Sequence, residues 1–189
     1  MIPIEQFCNF KAWKRTNSLE DEEFRLTIPY SDRTVGQYTY IELQAGERTY
    51  SKFSSGRSDR QLRNIAVFDM KANTTKWIFP YSAQDITEFK DIVKTHLDEK
   101  GKSTSITVGF LLTTEASRAD RSISRDLWVM RPNGEGLQII LSDLKGDITF
   151  KKFGKNEHRL IVETEDEILV YPFNNVSLTL GEATKISMP

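Results

Sequence analysis

The sequence predicts an all-β, mainly antiparallel fold. Three observations predict it. Apolar and polar residues alternate with a period of two from Phe24 onward. Turn residues recur at short intervals, as in Pro132-Asn133-Gly134-Glu135-Gly136 and Asn174-Asn175. Ile106 to Thr114 is apolar on both faces, the pattern of a central strand.

The elements follow in chain order. Residues 1–23 read as an N-terminal arm ending in the acidic run Leu19-Glu20-Asp21-Glu22-Glu23, with Ser18 placed to cap a short helix. A single β domain is expected over 24–189. Phe24, Leu26 and Ile28 alternate with Arg25 and Thr27. Tyr38 to Leu43 fits a second strand and Thr49 to Phe53 a short third one. Asn64 to Met70, the turn Lys71-Ala72-Asn73-Thr74 and Thr75 to Pro80 make a hairpin.

The stretch 82–98 reads two ways. Ile86, Phe89, Val93 and Leu97 form a helical stripe, with Ser82 as N-cap and Gly101 as stop. The same residues also fit one short strand and a long loop. Beyond Ile106–Thr114, Glu115 to Arg125 reads as a charged, Ser-rich loop. Asp126 to Leu141 is strand, tight turn, strand. Trp128 and Met130 share one face, and Leu127 and Val129 the other. Ile148–Phe153, Arg159–Thr164, Glu167–Phe173 and Ser177–Leu180 complete an up-and-down meander.

Composition bounds the function. The chain has 189 residues, 38% hydrophobic and 28% charged, as in an ordinary soluble protein. A net charge of −1 supplies no global field toward nucleic acid or an anionic membrane. The lone cysteine, Cys8, excludes an intrachain disulfide and a cysteine-based metal site. No apolar run reaches the roughly 18 residues of a membrane span. Met1 to Phe10 lacks a signal-peptide pattern, so a cytoplasmic location is expected if the start is correct. The oligomeric state stays open.

Three segments share an order of apolar strand, polar loop, strand, tight turn and closing strand. They centre on Ile65–Phe79, Phe110–Leu141 and Leu160–Leu180. Units of about 40–45 residues are those of β-propeller blades. Asp126-Leu127-Trp128-Val129-Met130-Arg131-Pro132-Asn133-Gly134-Glu135-Gly136-Leu137 resembles the blade motif of TolB-like propellers. Asn64-Ile65-Ala66-Val67-Phe68-Asp69 is similar to the same inner strand, and Glu167-Ile168-Leu169-Val170-Tyr171 fits loosely. The family's turn Asp is Asn133 here. A closed propeller needs about 4–8 blades, more than the three units seen. The resemblance therefore implies a propeller-like or propeller-derived stack of small sheets. It also implies a non-catalytic platform that binds another protein, with the periplasm as the alternative location.

The candidate binding site is the loop Arg48 to Arg63. Arg48, Lys52, Arg57, Arg60 and Arg63 stand against a single Asp59, and Ser55-Gly56 can offer backbone N–H groups to an anion. Phosphate or carboxylate recognition needs such a set. The bland alternative is a solvated loop. No Walker sequence is present.

Other clusters are weaker. Asp120 and Asp126 with Ser117, Ser122 and Ser124 lack the glycine of a calcium loop, and arginines intervene. Glu163, Glu165, Asp166 and Glu167 sit at a polar turn, where water keeps carboxylates ordinary. His158 is expected at a turn and His96 on the polar side of the 82–98 stripe, neither with metal-ligand spacing. Trp77, Trp128 and Tyr171 read as sheet-packing aromatics. No catalytic residue, metal or cofactor is expected. The function expected is non-catalytic protein binding through inter-strand loops. The alternative is an anion- or small-molecule-binding protein, or a hydrolase, built on loop 48–63.

Overall fold

The computed structural model describes residues 24–27, 33–45, 61–80, 84–97, 99–117, 123–153 and 157–187. The described residues form antiparallel strands and contain no helix. Contacts group the chain into two compact units, Met1–Thr87 and Glu88–Pro189. The expected arm 1–23 and the expected strand Thr49–Phe53 lie outside the described residues.

The first unit is built on β1 (Phe24–Thr27), β2 (Thr34–Val35), β3 (Tyr38–Ala45), β4 (Gln61–Asp69) and β5 (Thr74–Trp77). β3 lies between β1 and β4, and β5 pairs with the C-terminal half of β4. Gly36, at φ 60°, makes the two-residue turn from β2 to β3. Alternation predicts one buried face for β3. Instead Tyr40 and Ile41, adjacent in sequence, are both buried, as are Ile65, Ala66 and Val67 of β4. Both faces of this pair are covered, and that is a tertiary fact that period alone does not carry.

The β4–β5 turn falls where expected. Asn73 takes the left-handed conformation at φ 52°, which Asn tolerates better than most residues. The Asp69 carboxylate accepts hydrogen bonds from the Lys71 and Ala72 N–H groups and from the Gln37 amide. The Ala72 N–H holds this carboxyl below its ordinary value of 3.8; desolvation opposes it, and the Gln37 amide and the N–H and charge of Lys71 add to the lowering. A depressed carboxyl stabilises the fold above its unfolded pKa and loses that contribution as pH falls through the folded one. The stability gap between the protein and its Asp69→Asn variant should therefore be constant above about pH 5 and shrink below the ordinary carboxylate value. Urea titrations at several pH values read this directly.

The second unit holds most of β6 (Asp85–Leu97), then β7 (Ser103–Ser117), β8 (Ile123–Met130) and β9 (Gln138–Leu144). A second sheet follows with β10 (Asp147–Phe153), β11 (Glu157–Glu163), β12 (Glu167–Asn174), β13 (Thr179–Leu180) and β14 (Thr184–Ser187). Each sheet runs as consecutive antiparallel neighbours, β6 to β9 and β10 to β13. One core joins them. Ile92, Leu111, Leu127 and Val129 from the first sheet cluster with Leu160, Val162, Phe173 and Leu178 of the second.

The helix expected near 82–98 is absent. The stretch is one long strand, β6, hydrogen-bonded beside β7. It is also not a short strand with a long loop. Ile86, Ile92, Val93 and Thr95 are β-branched and suit a strand. Ile92, outside the helical stripe, is fully buried, whereas Leu97 of the stripe is exposed. Pairing with the apolar β7 satisfies the backbone and overrides the stripe. β7 is interior as expected, with Phe110, Leu111 and Leu112 fully buried.

The two ends of the expected loop Glu115–Arg125 are strand, and 118–122 lie outside the described residues. Glu115 pairs with Arg125, Ala116 with Ser124 and Ser117 with Ile123. Opposite charges face each other across the ladder, and the Arg125 Nε to Glu115 Oε1 distance is 2.6 Å. At Glu115 and Arg125 the charges mark a cross-strand pair rather than a loop.

β12 is flanked by β11 on one edge and by β13 and β14 in turn on the other. The break between β13 and β14 falls opposite Pro172, which has no N–H to give. The Pro172 carbonyl instead accepts the Gly181 N–H at 2.8 Å. β14 goes unnoticed in the sequence because Thr184 to Ser187 is short and carries one exposed large apolar side chain, Ile186.

Candidate functional site

Of the arginine-rich set, Arg48, Lys52, Ser55, Gly56, Arg57 and Arg60 lie outside the described residues. Arg63 is described. It sits near the start of β4 and is almost fully buried. Its Nη1 lies 2.6 Å from Asp85 Oδ1, and its Nη2 donates to Gln61 Oε1 at 2.7 Å. A buried guanidinium requires such partners. Arg63 is thus engaged in an internal ion pair within the first unit.

The blade-like motif is a turn device. Asn133 Oδ1 accepts the Glu135 N–H at 3.0 Å, and its Nδ2 donates to Glu135 Oε2 at 2.8 Å. The Arg131 carbonyl accepts the Gly134 N–H, and the Glu135 carbonyl accepts the Arg131 N–H. Gly134 and Gly136 occupy φ 74° and 65°, which only glycine adopts without strain. At the far end, Asp126 Oδ1 accepts the Asp143 N–H at 3.0 Å. Asp126 and Asn133 therefore fix the two ends of the β8–β9 hairpin. The face assignment holds for Leu127 and Val129, both in the two-sheet core.

Trp128 is half-buried and its indole N–H donates to Thr114 Oγ1 at 2.9 Å on the neighbouring strand. Arg125, beyond its pair with Glu115, donates from Nη1 to the Gly146 carbonyl at 2.8 Å. This polar row on β7 and β8 was invisible to motif reading. Its signal is cross-strand spacing, which becomes meaningful only once the register is known.

Of the carboxylates at the β11–β12 turn, Glu167 is ion-paired with Lys185 of β14. Thr164 Oγ1 donates to the Glu167 carbonyl and accepts its N–H.

His158 is not at a turn. It lies within β11, buried, with its ring stacked 5.2 Å from that of Phe150. The strand extends further toward the turn than periodicity indicates, because Lys152 and Phe173 pair with it on both sides. His96 is exposed on β6 rather than on a helix. Among the described residues, no three His, Cys, Asp or Glu side chains are placed to hold a metal ion. No helix among them is long and apolar enough to cross a membrane.

Comparisons with family models, with curated proteins and with solved structures found no match to this chain.

Proposed function

We propose that the protein is a non-catalytic binding scaffold whose inter-strand loops meet another protein. One observation carries this reading. Two successive antiparallel meanders, β6–β9 and β10–β13, pack on one core in the second unit, which leaves the connections between strands at the margins of the sheets. The motif Asp126–Leu137 supports kinship with TolB-like blades, since its polar residues serve hairpin geometry. The structural engagement of Arg63, Arg125 and Glu167 agrees with a scaffold. An anion site on loop 48–63 is the competing reading.

The two are separated by a thermal-shift panel of phosphorylated ligands run beside a pull-down. The expected result is no shift with any anion and specific recovery of one protein. A stabilisation by a phosphorylated ligand that disappears in the Arg57→Ala, Arg60→Ala double variant would overturn the scaffold reading.

A further inference from the structure

β7 is longer than the strand beside it. Its pairing with β8 begins at Phe110, although β7 begins at Ser103. Ser103 to Val108 therefore have β6 on one side and, among the described residues, no strand on the other. The backbone N–H and C=O groups of this edge are a template for a further strand.

The side chains along that edge are unusual for a monomer. Ser103-Thr104-Ser105-Ile106-Thr107-Val108 has four β-branched residues, no charge and no proline, the composition that pairs most readily. Ser103 to Ile106 are exposed, Ile106 to 55%. Other edge strands of the second unit carry guards. β10 has Asp147, Lys151 and Lys152, and β14 has Lys185. β9 has Asp143 in a left-handed kink at φ 54°. Charges and kinks of this kind block edge-to-edge association. The β7 edge has neither.

We infer that this edge pairs with the same edge of a second copy of the chain. The sequence is self-complementary. A two-fold axis through Ser105 sets Ser105 opposite Ser105 of the second copy, Thr104 opposite its Ile106 and Ser103 opposite its Thr107. Serine–threonine pairs across strands are favourable, and no like charges face each other. The incoming strand runs antiparallel to β7, as β8 does, and so occupies the length of β7 that β8 leaves vacant. The β6–β7 turns, which carry Lys100 and Lys102, lie at opposite ends of the paired segment and do not face each other. Such an interface is isologous and closes at two copies. It rests on strand pairing alone and stands or falls apart from the scaffold reading.

Sedimentation velocity across a concentration series tests it. The wild-type chain should be a dimer that dissociates on dilution. Ile106→Lys places a charge on the edge twice per dimer and should raise the dissociation constant at least about tenfold. Thr104→Lys, at an exposed position, should do the same with an unchanged circular dichroism spectrum. Val176→Lys, on an exposed apolar residue of the β12–β13 turn, should leave the dimer intact. A wild-type chain that is monomeric at every concentration overturns the inference, including one that captures a different protein's strand there. So does a dimer that survives both β7 substitutions.

Discussion

Gly146→Ala is expected to cost about 4 kcal/mol of folding stability, from steric overlap and a forbidden backbone conformation together. Gly146 joins β9 to β10, where the chain passes from one sheet of the second unit to the other. It sits at φ 108°. A Cβ added there would lie 2.0 Å from the Glu163 carbonyl oxygen and 2.9 Å from its carbon. Both neighbours are backbone of β11, which cannot move without breaking the β10–β11 ladder. The Gly146 carbonyl also receives Arg125, so displacing it loosens the Glu115–Arg125 pair. Gly136→Ala is the control. It too has positive φ, but nothing lies within 4 Å of its added Cβ, so the loss should be only about 1 kcal/mol. Urea denaturation of the three proteins measures the difference. Equal losses for the two variants would show that conformation alone, not the approach to Glu163, makes Gly146 necessary.

Asn64→Ala should cost about 3 kcal/mol, because it removes three hydrogen bonds to backbone groups at once. Asn64 is buried in β4. Its Nδ2 donates to the Phe79 carbonyl at 2.9 Å, while Oδ1 accepts the N–H of Phe79 at 3.2 Å and of Ile65 at 2.8 Å. The amide thus replaces a strand partner for Phe79 just after β5 ends at Trp77. Asn64→Asp keeps the acceptor and loses the donor. Burial raises the pKa of such a carboxyl, so this variant should be destabilised at neutral pH. It should recover as pH falls and the protonated acid again donates to the Phe79 carbonyl. Unfolding free energies of both variants between neutral and acidic pH would check this. An Asn64→Asp protein as stable as the parent at neutral pH would remove the donor from the account.

Much of this fold is legible in the sequence. The β4–β5 and β8–β9 hairpins can be located from their turns, because Asn73, Asn133, Gly134 and Gly136 are residue types that tolerate the required backbone angles. The interior position of β7 follows from its apolar character on both faces. Other elements are not legible. The stripe at Ile86, Phe89, Val93 and Leu97 fits a helix, yet β6 is a strand because β7 offers its backbone a partner. His158 reads as a turn residue and is buried against Phe150. Arg63 reads as part of an anion loop and is instead neutralised by Asp85, which lies far from it in sequence.

The division has a physical basis. Turns and strand periodicity depend on residues within a few positions of one another, so the sequence by itself determined the all-β class and most hairpins. Register, the doubly covered strands and the partners of buried polar groups depend on residues far apart along the chain. Only the tertiary structure decided those: the Asn64 clamp on Phe79, the contact of Gly146 with Glu163, and the length of β7 that β8 leaves open.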